Sequence, residues 1–239
     1  MGAAGTGKTT ALGAARELWE LAGFRVVGCA LAARAAAGLS AGAGIESSTI
    51  HRLLASRATG TLPERTVLVV DEAAMVGTRQ LSRLADLAAA SGAKLVLVGD
   101  HRQLPEIEAG GAFAALAREL DAVTLRRNRR QVEAWERQAL ADLRDGNPGR
   151  AIDAYLAAGR VHAGPDAAGV FEQMVSDWEA GRARGEEVVM IAPQRRQVAV
   201  LNGLARRRLA DAGVLGSEVV VAGGRRFAAG DEVLAGHND

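Results

Sequence analysis

Residues 2–9 read Gly-Ala-Ala-Gly-Thr-Gly-Lys-Thr, and few eight-residue stretches narrow a fold so far. Glycines at 2, 5 and 7 free the backbone for left-handed turns, which swing successive N–H groups toward one point. The run from Lys8 to Leu12 favours helix, and a helix starting at Lys8 adds the positive end of its dipole at that same point. The spacing of Gly, four residues, then Gly-Lys-Thr suits a chain of phosphates: Lys8 bridges the β- and γ-phosphates and the Thr9 hydroxyl completes the coordination of Mg²⁺. Gly2, Ala4, Gly5, Thr6, Gly7, Lys8, Thr9 and Thr10 are the expected contacts, with ATP and Mg²⁺ as ligands. Taken alone, the stretch also fits a glycine-rich turn that binds nothing.

The run Val67-Leu-Val-Val-Asp71-Glu72 supplies what such a loop needs opposite it. It is a buried strand that delivers two carboxylates at its carboxyl end, where open α/β sheets bind ligands. Asp71 there holds Mg²⁺ through its water shell, and Glu72 polarises the water that attacks the γ-phosphate. Helix capping is the other use for such acids.

Around these segments, short β-branched runs alternate with alanine- and leucine-rich stretches, the pattern of a parallel sheet with crossover helices. Strands are predicted at Arg25–Cys29, Thr66–Val70, Lys94–Val98 and Ala122–Leu125, with helices beginning near Lys8, Ala33, Thr49 and Arg79. The pattern changes near Arg126, which sets expected domains of 1–125 and 126–239. The second holds a helical segment Val132–Leu156 broken at Gly146-Asn-Pro-Gly149, a helix Ala168–Gly181, a strand Glu187–Ala192, a helix Gln197–Gly213 and a Gly- and Val-rich end that reads as strands.

No apolar run reaches the roughly 18 residues of a membrane span, and the glycine-rich start is unlike a secretory signal, so a soluble cytoplasmic protein without a membrane partner is expected. A net charge of +1 supplies no basic field over the whole surface, which leaves nucleic-acid contacts to local arginine clusters. Arg126–Arg130 and Arg206–Arg208 are such clusters, although the apolar stripe at Val200, Leu204 and Ala205 favours a solvated helix face for the second. Aromatic residues are only 3%, so base-stacking platforms are few, and Trp135 and Trp178 fall in helical patterns as core residues. His101, His162 and His237 show no metal-ligand spacing, and Cys29 reads as a buried small hydrophobe.

One segment selects a family. Gly99-Asp-His-Arg-Gln103-Leu-Pro105 resembles motif III of superfamily 1 helicases, Asp71-Glu-Ala-Ala-Met75 resembles their motif II, and Leu125-Arg-Arg-Asn-Arg-Arg130-Gln131 resembles motif IV of the RecD-like branch. That resemblance implies a P-loop, RecA-like sheet followed by part of a second RecA-like domain. It also implies that Gln103 senses the γ-phosphate and couples it to DNA, and that Arg130 sets its charge against that phosphate. The expected catalytic set is therefore Lys8, Glu72, Gln103 and Arg130, with Thr9 and Asp71 at the metal.

Ala30–Leu39 and Ser48–Leu54 are similar to motif Ia and the segment after it, which places Arg34, Thr49 and His51 against single-stranded DNA. Many RecD enzymes carry Pro-Thr-Gly where this chain has Leu31-Ala-Ala33; the alanine-leucine form is more similar to the helicase halves of TraA/TrwC-type conjugative relaxases. Ala192–Arg195, Leu201–Arg206 and Phe227–Val233 agree with those proteins. The implied activity is 5′-to-3′ translocation on single-stranded DNA, with a relaxase domain or conjugation or repair machinery as partners. Motifs V and VI do not occur before Asp239, and the phosphate loop begins one strand late, as in an internal fragment. Two functions compete: the ATPase core of a helicase, and a nucleotide-dependent DNA-binding module without turnover.

Overall fold

The computed structural model describes residues 1–56, 60–103, 110–222 and 225–233; Leu104, Pro105 and the expected features at 236–239 lie outside the described residues. The chain forms two compact units, Met1–Tyr155 and Leu156–Asp239.

The first unit is built on β1 (Arg25–Ala30), β2 (Glu46–Thr49), β3 (Thr66–Val70) and β4 (Lys94–Leu97), all parallel and ordered β2-β1-β3-β4. Crossovers are made by α2 (Ala33–Ala43) between β1 and β2, α3 (Ile50–Ser56) between β2 and β3, and α4 (Thr78–Ala90) between β3 and β4. The phosphate-loop helix α1 (Lys8–Leu21) precedes β1. β3 lies at the centre and every residue in it is buried, which is why its sequence is apolar on both faces. Its side chains alternate between two cores. Val67 and Val69 pack with Leu12, Val26, Leu39 and Ile45 on one face, while Leu68 and Val70 join Ile50, Leu54, Leu81, Leu84 and Phe113 on the other. Cys29 is fully buried in the second of these clusters, and burial pushes its thiol up to about 12, leaving it an inert core residue.

Two elements differ from the sequence prediction. β2 was not expected: among the described residues it pairs only with β1, and an edge strand reading Glu-Ser-Ser-Thr shows no apolar run. The expected strand Ala122–Leu125 contracts to one parallel bridge between Leu125 and Gly2. Val123 is 80% exposed, so this segment lacks the two-sided burial that a parallel strand requires. Before this segment comes α5 (Ala112–Glu119), and after it α6 (Ala134–Arg144) and α7 (Pro148–Ala157), where Trp135 and Tyr155 meet edge to face at 5.2 Å.

In the second unit, α8 (Ala167–Ala183) and α9 (Arg195–Asp211) pack through Val175, Leu201 and Ala205, with Trp178 against this core. β5 (Glu218–Ala222) and β6 (Arg225–Ala228) form an antiparallel hairpin. The predicted strand Glu187–Ala192 is not one, since no ladder partner adjoins it among the described residues. Its period-2 pattern has another cause: Met190 and Ala192 turn onto the helix core while Val189 and Ile191 face outward. Arg206 and Arg208 are held by carboxylates, Arg206 by Asp231 and Arg208 by Glu172 and Glu179. Among the described residues no helix is long and apolar enough to cross a membrane.

Candidate functional site

Because the sheet is parallel, the segments that follow β1, β2, β3 and β4 all emerge at one edge. The phosphate loop is anchored there, with the Gly2 N–H donating to Gly99 O (3.2 Å) just past β4 and the Leu125 N–H donating to Met1 O (2.8 Å). Gly5 (φ +79°) and Gly7 (φ +83°) take the left-handed conformation that turns the loop into α1, whose first helical bond runs from Ala11 N–H to Gly7 O (3.0 Å). Thr6 is buried and donates its hydroxyl to Ala3 O (2.8 Å). The Lys8 ammonium arches back to Gly2 O (2.9 Å) and Ala3 O (3.3 Å), which holds its charge over the loop. Ala4 and Thr10 are exposed, whereas Thr9 is half-buried. A Cβ on Gly42 would stand 2.6 Å from the Thr9 methyl carbon, so only glycine lets α2 approach that side chain so closely.

The segment 128–130 lies against the loop. Arg129 N–H donates to Gly5 O (2.7 Å), and a Cβ on Gly5 would come within 2.6 Å of the Arg130 Cβ and 2.9 Å of Asn128 Oδ1. Asn128 shapes this turn by accepting from the N–H groups of Arg130 (2.9 Å) and Gln131 (3.2 Å). A cavity of about 430 Å³ opens beside it, lined by Arg127, Asn128, Arg129, Gln131, Val132 and Arg137.

At the end of β3, Asp71 continues the ladder through its N–H to Cys29 O (2.9 Å), and its carboxylate accepts the Glu72 N–H (2.9 Å). That bond helps to hold Glu72 in the left-handed region, at φ 50° and ψ 39°. A residue other than glycine sits there at a cost of roughly 1–2 kcal/mol, and such strain clusters at functional sites. The Glu72 Oε2 atom is buried without a hydrogen-bond partner among the described residues. Burial raises its carboxyl above the ordinary range, the charge of Asp71 and more weakly that of Asp100 push the same way, and the Lys8 ammonium opposes them.

Past β4, Asp100 O accepts the Gln103 N–H (3.1 Å), closing a turn that carries Gln103 half-buried. Asp100 itself is 2% exposed and is gripped by both terminal guanidinium nitrogens of Arg144, at 2.6 and 3.0 Å. Burial alone would raise its carboxyl; the Arg144 hydrogen bonds, the Arg102 N–H and the charges of Arg144 and Lys8 together hold it below the usual range. Neither Arg144 nor Asn128 was among the candidates from sequence. An Asn flanked by arginines signals a turn, but nothing local links positions 100 and 144.

The remaining candidates sit on the same edge without hydrogen bonds or ion pairs to the phosphate loop among the described residues. Arg34 is exposed in the first turn of α2. Thr49 ends β2, and its hydroxyl accepts the Arg52 N–H (3.2 Å), which caps α3. His51 is exposed and lines a small cleft of about 100 Å³ with Leu54, Ala55, Gln80 and Arg83.

A parallel sheet with flanking helices, a glycine-rich loop opening a helix and an acidic pair at the end of the adjacent buried strand define a P-loop nucleoside-triphosphatase fold of the RecA-like kind. The model of the family described as AAA domain matches residues 1–166, and the chain belongs to that family. It is 41% identical to the conjugal transfer protein TraA of Rhizobium radiobacter, an alignment that covers 98% of this chain and 22% of TraA. It is also 38% identical over 137 residues to the ATP-dependent RecD2 DNA helicase of Deinococcus radiodurans, covering 54% of this chain and 19% of that one. The RecBCD enzyme subunit RecD of Mycobacterium tuberculosis is 37% identical over 146 residues, covering 48% of this chain and 25% of the subunit. The chain thus spans about a fifth of the length of the TraA relatives.

Proposed function

We propose that the chain is the ATP-binding and ATP-hydrolysing core of a RecD/TraA-like DNA helicase that moves 5′ to 3′ along single-stranded DNA in the cytoplasm, in conjugative transfer. The observation that carries this is the convergence on one sheet edge of the phosphate loop, the Asp71–Glu72 pair and the Asp100–Gln103 turn. The loop N–H groups and Lys8 hold the β- and γ-phosphates, and Glu72 takes a proton from the attacking water. Gln103 and Arg130 act at the γ-phosphate.

Mg²⁺ suits the donors present. Among the described residues no group of three or more His, Cys, Asp or Glu is placed to cage a metal. Mg²⁺ needs no cage, because one or two protein oxygens plus phosphates and waters complete its shell. Thr9 would be the direct donor, and Asp71 would hold the ion through its water shell.

DNA would cross the sheet edge that carries Arg34, Thr49 and His51. The cleft supports this, since Arg83, Gln80 and His51 line it with no acidic side chain among them. Arg83 bonded to a backbone phosphate makes Arg83→Ala expected to weaken single-stranded DNA binding about fivefold, and to reduce the slope of log affinity against log salt by about 0.7. Fluorescence anisotropy across a salt series reads both; an unchanged slope removes Arg83 from the path.

ATP turnover with Mg²⁺, measured with and without single-stranded DNA, tests the whole reading. Turnover stimulated by DNA is expected. Binding of ATP and DNA without turnover would instead identify a nucleotide-dependent DNA-binding module, and failure to bind ATP would refute the nucleotide site.

A further inference from the structure

We propose that Arg144, acting through Asp100, is a positioning residue for the γ-phosphate side of the site, so that α6 sets how well the protein distinguishes a nucleoside triphosphate from a diphosphate. The inference rests on the nucleotide reading above and adds a residue that no motif includes.

Asp100 works in two directions. Its backbone carbonyl fixes the turn by accepting the Gln103 N–H (3.1 Å), and its side chain fixes the turn to α6 through the Arg144 fork, at 2.6 and 3.0 Å. Its Oδ1 also accepts the Arg102 N–H (3.2 Å) within the turn. A second pair crosses beside the first, Arg102 to Asp145 at 3.2 Å. With 52% and 64% exposure this outer pair adds little stability of its own. Two residues of the turn are thereby tied to two consecutive residues at the carboxyl end of α6.

Stability alone is a poor reason for such a device. Replacing a buried ion pair by apolar residues is often neutral or better, whereas a planar fork fixes both distance and orientation. Its location supplies the reason. The charge of Asp100 is felt at Glu72, and that of Lys8 is felt at both. Without Arg144, Asp100 would lose the guanidinium that pairs it, and the added charge of a γ-phosphate would meet one more uncompensated carboxylate beside Asp71 and Glu72. A diphosphate, held by the loop N–H groups, would be affected far less. The turn carrying Gln103 would lose its anchor at the same time.

The test compares binding of ADP and of a non-hydrolysable ATP analogue, each with Mg²⁺, to the full chain by calorimetry. Arg144→Ala is expected to weaken the triphosphate about tenfold relative to ADP, the scale of one charge-assisted hydrogen bond, and Arg144→Lys to restore part of the loss. Should Arg144→Ala not fold, Arg144→Gln keeps a hydrogen bond to Asp100 without the charge and should show the same loss of discrimination. An unchanged triphosphate-to-diphosphate ratio in these variants, or equal weakening of both ligands, would overturn the role of Arg144 while leaving the nucleotide site intact. If the unaltered chain binds neither ligand, the nucleotide reading fails and this inference fails with it.

Discussion

Lys8→Ala is expected to weaken Mg·ATP binding by about 10²-fold and to abolish turnover, with little change in the melting temperature. Its ammonium is held over the loop by the carbonyls of Gly2 (2.9 Å) and Ala3 (3.3 Å), so its position is set before any phosphate arrives. Hydrogen bonds to charged groups are each worth about 1.5–3 kcal/mol, and two of them to phosphate oxygens correspond to roughly 10² or more in affinity. The helix dipole and the loop N–H groups remain and retain a weak anion site. Lys8 is only half-buried, and the loop keeps its anchors at Gly99, Leu125 and Arg129, so the fold should lose no more than about 1 kcal/mol. Calorimetric titration with a parallel melting curve checks both halves. Binding within threefold of the unaltered protein would remove Lys8 from the phosphates.

Local pattern carried the interior of the first unit and little beyond it. Thr66–Val70 could be read because a central parallel strand is apolar on both faces, and the acidic pair after it marked the ligand edge. Edges were harder to read. β2 looked like a polar loop, Ala122–Leu125 looked like a strand but pairs only at Leu125, and Glu187–Ala192 alternates because a helix core covers one side of it. The site divides in the same way. Gly5, Gly7, Lys8, Asp71 and Glu72 follow from chemistry within one short segment. Arg144, Asn128 and Gly42 act on partners 44, 123 and 33 positions away, at Asp100, Gly5 and Thr9, and sequence spacing holds no record of such pairings.

Glu72→Gln is expected to cut turnover by about 10²- to 10³-fold, the contribution of a general base, while leaving Mg·ATP bound and the fold more stable at neutral pH. The gain follows from how the carboxylate is held. Burial first, then the charges of Asp71 and Asp100, raise its pKa above that of the unfolded chain despite Lys8, and Oε2 has no hydrogen-bond partner among the described residues. Ionised Glu72 therefore costs the folded protein stability at any pH above its folded value. Below about pH 4 the group is protonated in both states and the cost disappears. Gln keeps the shape without the charge, so the variant should melt higher than the original at pH 7.5, and the difference should shrink as pH falls toward 4. Backbone strain is separable from this effect: Glu72→Gly would also release the φ 50° conformation and gain about 1 kcal/mol more at either pH. Melting curves of the three proteins at both pH values, with turnover measured alongside, decide the matter. A Glu72→Gln protein less stable at pH 7.5 than at pH 4 relative to the original would refute the electrostatic account. Turnover within tenfold of the original would remove Glu72 as the base.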